Sequence, residues 1–167
     1  MPKVEVGRKV PDFTLTTQRG EPFTLSEQTR TVVLFFYPED DSPACTGEAC
    51  DFRDLRAELE AMNAIAVGIS PDDQESHAAF ESKYKLGMTL LVDERGPDGA
   101  PKLAKKLGAW GEKLNYGKTY VGLIRTTYVI APGRVVVARF DNVRAKGHAG
   151  RVVESSKAQS SKATNKK

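Results

Sequence analysis

Residues 31–45 read TVVLFFYPEDDSPAC. The first seven, TVVLFFY, form one unbroken apolar run of β-branched and aromatic residues. Such a run marks a strand buried on both faces, as at the centre of a parallel sheet. It stops at Pro38. Ser42 then stands where a helix N-cap belongs, and Pro43 fits the first helical position. Ala49, Phe52, Leu55, Leu59 and Met62 follow at helical spacing, so a helix is expected from 43 to about 62. A buried strand passing through a short loop into a helix is the unit around which the rest of the chain can be placed.

Working outward, DFTLTTQRGEPFTLS (12–26) alternates around Arg19-Gly20 and predicts a β-hairpin. AIAVGIS (64–70) predicts a second buried strand. Ser70 is a plausible cap for a helix that opens with Pro71, Asp72 and Asp73 and runs to about Tyr84. TLLVD (89–93) predicts a third strand, and APKLAKKLG (100–108) a short helix closed by Gly108. RTTYVIAPGRVVVARF (125–140) predicts two strands around Pro132-Gly133, and a last helix is expected over about 146–154. Strand–helix alternation with a late hairpin gives an α/β protein with a central mixed sheet flanked by helices. Sites in such sheets lie beyond the carboxyl ends of the strands, where residues 38–45 fall.

The chain has 167 residues, enough for one domain with a substantial core. No apolar run approaches the ~20 residues of a membrane span, and the N-terminus has no signal-peptide pattern, so a cytoplasmic protein is expected. The net charge of +3 is uneven: SSKAQSSKATNKK (155–167) carries four lysines and no acid, leaving 21 basic and 22 acidic residues in the body. The expected division is therefore a folded domain over 1–154 and a lysine-rich, disordered tail over 155–167. Without interleaved aromatics the tail gives little support to nucleic-acid binding.

Cys45 and Cys50 are the only cysteines. In a reducing compartment such a pair points to catalysis, metal binding or inert burial rather than a structural staple. Cys45 falls in the first turn of its helix, where free backbone N–H groups and the helix dipole favour a thiolate, the reactive form. Five residues of helix separate the two Cα atoms by roughly 8.7 Å, beyond the ~7 Å limit for a disulfide. The two sulfurs can join only if the first turns unwind. The two histidines, His77 and His148, make no metal-ligand spacing, so no zinc site is expected. His77 is expected on a helix surface, and His148 at the start of the last helix or flanking it.

P38-E-D-D-S42-P-A-C45 resembles the peroxiredoxin active-site pattern Pro-x-x-x-Thr/Ser-x-x-Cys, with serine in the hydroxyl position. C45-T-G-E-A-C50 is similar to the bacterioferritin-comigratory, or PrxQ, subgroup. GRKVPDFTL (7–15), LGAWGEK (107–113), YGKTYVGLIRTTYVI (116–130) and NVRAKGHAGRVV (142–153) agree, so the likeness extends to about residue 154. It implies a thioredoxin-like fold and a thiol peroxidase for hydrogen peroxide and organic hydroperoxides. On that pattern Cys45 is the peroxidatic nucleophile and Cys50 the resolving thiol, joined as an intramolecular disulfide that a thioredoxin-type partner reduces. Ser42 would hold the peroxide, Arg125 would stabilise the thiolate and the developing charge, Pro38 would shield the pocket, and Glu48 would orient Arg125. No cofactor or metal is required, and the subgroup is often monomeric. The segment 93–106 is slightly longer than the family's corresponding loop, and the lysine-rich tail is extra.

Two other classes remain compatible with the residues alone. One is a thiol–disulfide oxidoreductase with a wide cysteine spacing, which would need neither Ser42 nor Arg125. The other is a redox-regulated chaperone or polyanion binder acting through residues 155–167.

Overall fold

Residues 31–36 form the central strand, one residue shorter than the apolar run, and its alternation, continued by Tyr37, divides the core. In the computed structural model, which describes residues 3–115 and 117–165, this strand is β3, Thr31–Phe36, preceded by the hairpin β1 (Thr14–Thr16) and β2 (Pro22–Thr24). The chain continues through α1 (Pro43–Asp54), α2 (Arg56–Ala61), β4 (Ala64–Ser70), α3 (Gln74–Tyr84), β5 (Thr89–Val92) and α4 (Lys102–Lys106). It ends with β6 (Trp110–Asn115), β7 (Lys118–Leu123), β8 (Thr126–Ala131), β9 (Val135–Phe140) and α5 (His148–Asn165). The main sheet has the order β5-β4-β3-β8-β9, with β3, β4 and β5 parallel and β8 and β9 antiparallel. It is the expected mixed sheet with flanking helices.

Val32, Leu34 and Phe36 point to one core, shared with Val67, Ile69, Tyr128 and the α4 residues Leu103 and Ala104. Val33, Phe35 and Tyr37 point to the other, with Cys45, Ala49 and Phe52 of α1, Phe80 of α3 and Val152 of α5. The period-two pleat of one strand thus feeds both faces. Phe35 stacks on Phe52 with ring centroids 4.7 Å apart, which seats α1 on the sheet. Full burial of such a ring is worth about 1.5–3 kcal/mol.

Several boundaries differ from the sequence expectation. The helix over 43–62 is two helices, interrupted at Leu55, whose backbone (φ −95°, ψ 13°) leaves the helical region. No glycine or proline announces the break. Ser70 ends β4 instead of capping α3, and its hydroxyl donates to Asp72 Oδ2 at 2.7 Å. Asp73 is the cap: its Oδ1 accepts from the Ser76 N–H at 2.8 Å.

The β6–β7 hairpin has no counterpart in the expected elements. Its strands carry Gly111, Gly122, Glu112, Lys113 and Lys118 and expose Leu114 and Val121, so alternation against a core is missing. The last helix does not stop near 154. Residues 151–165 contain no glycine or proline and include good helix formers, so the ladder continues to Asn165. Residues 166 and 167 of the lysine-rich end, and Tyr116 of the motif 116–130, lie outside the described residues. Among the described residues, no helix is long and apolar enough to cross a membrane.

Candidate active site

The site forms where β3 ends. Phe36 pairs with Thr126 on antiparallel β8, so Arg125 comes opposite Tyr37, one step past the strand, where the chain turns toward α1. Ser42 is the N-cap of α1 and Pro43 its first residue, placing Cys45 in the first turn, fully buried. The Thr46 N–H donates to the Ser42 carbonyl at 2.8 Å and closes that turn. The Ser42 hydroxyl does not cap the helix; it donates to the Glu39 carbonyl at 3.2 Å. Pro38 and Pro43 are exposed beside it.

Arg125 is the hub. Its Nη2 donates to Cys45 Sγ at 3.3 Å, and its Nη1 pairs with Glu48 Oε1. The guanidinium and the helix N-terminus both favour negative charge on the sulfur. Burial alone would lower the Arg125 guanidinium, but Glu48 and Cys45 outweigh it and hold it above its ordinary value. Burial wins at fully buried Glu48 and pushes it up to about 7 in spite of Arg125. Glu48 lies one turn beyond Cys45 on the face that also buries Ala49 and Phe52.

His148 closes the far side. It begins α5, as expected, and its Nε2 lies 2.7 Å from Thr127 Oγ1 and 4.0 Å from Glu48 Oε2. Burial, with Arg151 and Arg125 nearby, lowers it to about 4, so a neutral ring faces Glu48. Glu48 Oε2 and His148 Nδ1 have no hydrogen-bond partner among the described residues. Neither His148 nor Thr127 is singled out for a role by sequence reasoning; the segment NVRAKGHAG that places the histidine is the available signal.

A second buried network holds the loop before Cys45, and it corrects the expected surface position of His77. His77 is completely buried. Its Nε2 donates to the Leu91 carbonyl at 2.8 Å, and its Nδ1 lies 2.7 Å from Asp40 Oδ2. The Leu91 carbonyl only accepts, so Nε2 carries a hydrogen. Asp40 also accepts from the Tyr37 hydroxyl at 2.6 Å and the Ser76 hydroxyl at 2.8 Å. Its N–H donates to Asp72 Oδ2 at 2.8 Å. Asp40, Asp72 and His77 could geometrically surround a cation, but these hydrogen bonds already occupy their ligand atoms.

Both cysteines are free thiols, Cys45 buried and Cys50 partly exposed, and both lie on α1. The structure therefore brings Cys45, Glu48 and Arg125 into contact. It leaves Pro38 and Ser42 on the loop that leads into α1 and Cys50 further along the helix.

Comparison with known proteins agrees with this geometry. A family model described as "AhpC/TSA family" matches residues 6–139. A Helicobacter pylori protein named putative peroxiredoxin bcp is 44% identical over 156 residues, covering 93% of this chain and 99% of that protein. Peroxiredoxin Bcp of Bacillus subtilis is 38% identical over 160 residues, 95% of this chain and 99% of its own. Among solved structures, a cysteine-to-serine variant of Xylella fastidiosa PrxQ superposes with a TM-score of 0.83 at 28% identity, covering 95% of this chain and 99% of that one. Xanthomonas campestris bacterioferritin comigratory protein, studied for its alkyl peroxide reduction activity, gives a TM-score of 0.78 at 32% identity, covering 89% and 92%. A buried cysteine in the first turn of a helix, hydrogen-bonded to the arginine that immediately precedes β8, in a chain matched over nearly its full length, places this protein in the AhpC/TSA family of peroxiredoxins, among relatives of the Bcp and PrxQ type.

Proposed function

We propose that this peroxiredoxin reduces hydrogen peroxide and organic hydroperoxides with Cys45 as the attacking thiolate and Cys50 as the resolving thiol. The carrying observation is the Arg125 guanidinium at 3.3 Å from Cys45 Sγ, fixed from behind by Glu48. The Cys45 sulfur attacks one peroxide oxygen. The O–O bond breaks, the sulfur becomes a sulfenic acid, and the departing oxygen leaves with a proton as water or alcohol. Negative charge grows on that oxygen, and the preorganised Arg125 and first-turn N–H groups are donors for it. Ser42 would contribute its hydroxyl to the bound peroxide, and Pro38 would limit access of water. Glu48 orients Arg125 toward Cys45.

Cys50 then attacks the sulfenic sulfur. The S–S bond forms and the oxygen leaves as water, which removes the sulfenic acid before further oxidation. Both cysteines lie on one intact helix in the reduced state, so this step unwinds the start of α1. A thioredoxin-type dithiol reduces the disulfide by exchange. The catalytic unit is residues 1–154, the lysine-rich residues 155–167 are an appendage, and the protein acts as a cytoplasmic monomer.

The test is stoichiometric hydrogen peroxide added to reduced protein, with thiols counted and mass recorded. Both thiols should be lost as the disulfide forms, and Cys50→Ser should accumulate sulfenic or overoxidised Cys45. A Cys45→Ser variant that consumes peroxide as well as wild type would end this assignment.

A further inference from the structure

Both ends of the segment that carries the cysteines are held by the same place on α3. At its start, Asp41 adopts the left-handed region, φ 63°. Its carboxylate accepts from the Lys83 ammonium at 2.7 Å and from the Tyr84 hydroxyl. At its end, Arg53 Nη1 donates to the Tyr84 main-chain carbonyl at 2.7 Å. Cys45 and Cys50 lie between these two anchors. The Tyr84 ring packs edge-on against buried Phe80, with centroids 5.6 Å apart, and Lys83 Nζ lies 5.3 Å from the Tyr84 ring centroid. Tyr84 is thus seated on the core and reaches both ends of the segment, one through its hydroxyl and the other through its carbonyl.

A helical segment pinned at both ends opens locally only when a pin releases. We propose that Lys83 and Tyr84 are positioning residues that latch residues 41–53 in the helical, peroxide-ready form, and that release at Asp41 gates closure of the Cys45–Cys50 disulfide. The proposal rests on the cysteine assignment above. In the gated step the Cys50 sulfur attacks the Cys45 sulfenic sulfur, an S–S bond forms, the S–O bond breaks, and hydroxide departs with the thiol proton as water. The latch takes no part in that chemistry; it sets how often the segment is open.

The Asp41 end is the one built to yield. Lys83 and Asp41 side chains are 59% and 41% exposed, so their ion pair is screened by water. A non-glycine residue in the left-handed region persists only while its surroundings hold it. The phenol-to-carboxylate bond of Tyr84 is therefore the main restraint at that end.

Tyr84→Phe keeps the ring on Phe80 and deletes this bond. The measurements are hydrogen exchange on the reduced protein and rapid-quench mass analysis after one equivalent of hydrogen peroxide. Tyr84→Phe should lower the protection of amides 43–52 and speed disulfide closure roughly tenfold, the worth of one hydrogen bond to a charged group. It should also leave less overoxidised Cys45 under excess peroxide. Lys83→Ala, an exposed change, should act in the same direction by a smaller factor. Wild-type protection and wild-type closure in Tyr84→Phe would overturn the latch, as would closure that slows. A wild-type protein that never joins Cys45 to Cys50 would instead overturn the cysteine assignment, while hydrogen exchange on reduced protein would still report the latch.

Discussion

Arg125 and Cys45 are 80 positions apart in the chain, yet a guanidinium N–H meets the sulfur at 3.3 Å. The sheet register brings this about. Because Phe36 pairs with Thr126, Arg125 lies level with the loop that leads into α1. One cation then serves two acceptors on successive turns of that helix, Cys45 and Glu48. Its planar, multiply donating head suits this double contact, which a single ammonium would not reproduce.

Replacing that head should therefore lower the rate of peroxide attack. Arg125→Gln is expected to slow Cys45 oxidation by about a hundredfold, the usual cost of removing a preorganised donor to a developing oxyanion. Arg125→Lys should recover only part of the loss. Stopped-flow oxidation under excess peroxide, with circular dichroism to confirm folding, checks both. Equal rates in wild type and Arg125→Gln would remove the arginine from the mechanism.

The buried Glu48 carboxyl should make stability depend on pH in a definite direction. Its pKa is raised by burial from 4.5 to about 7. A carboxyl raised in the fold contributes its stability fully below the unfolded value and loses it as pH rises through the folded value. The Glu48 contribution should thus decline between about pH 4.5 and about 7. His148 acts in the opposite sense: lowered from 6.5 to about 4, it contributes above 6.5 and loses that as pH falls through about 4. Because the two effects oppose each other, the slope of the unfolding midpoint against pH in this range should be more positive in Glu48→Gln than in wild type. Identical slopes would show that Glu48 does not titrate in the fold.

The Asp40–His77 network should contribute to both stability and activity. Asp40→Ala leaves His77, the Tyr37 hydroxyl and the Ser76 hydroxyl without their shared acceptor. Leaving a buried hydrogen-bonding group without its partner costs about 1–3 kcal/mol. The same change frees the loop from Pro38 to Ser42, so peroxide attack should slow as well. Urea unfolding and single-turnover oxidation read the two effects separately.

Gly68 tests the packing between the sheet and the cysteine-bearing face. A Cβ there would lie 2.8 Å from Leu90 Cδ2 and 3.0 Å from both Phe35 Cζ and Tyr37 Cε1. Gly68→Ala should destabilise by about 1–3 kcal/mol, the cost of overpacking a filled core. A denaturation midpoint equal to that of wild type would mean that those rings move aside freely.

Elements written in contiguous residues were legible. TVVLFF announces β3, AIAVGIS announces β4, and Arg19-Gly20 lies in the turn of the first hairpin. The β6–β7 hairpin was not legible, because its strands carry charge and glycine and have no buried face to impose alternation. The break at Leu55 was hidden because the apolar spacing continues through it and no helix breaker marks it. His77 was misplaced on the surface because its cost of burial is offset by Asp40, 37 positions earlier, and by the Leu91 carbonyl.

By itself the sequence determined a cysteine in the first turn of a helix that follows a fully buried strand, with a second cysteine five residues on. Capping, proline placement and apolar period act over a few neighbouring residues, so they can be read from order alone. Only the tertiary structure decided that Arg125 reaches Cys45, that Glu48 is buried beside neutral His148, and that Tyr84 grips both ends of the cysteine segment. Those relationships depend on strand register, helix packing and the exclusion of water, which fix the distances between residues the chain itself keeps far apart.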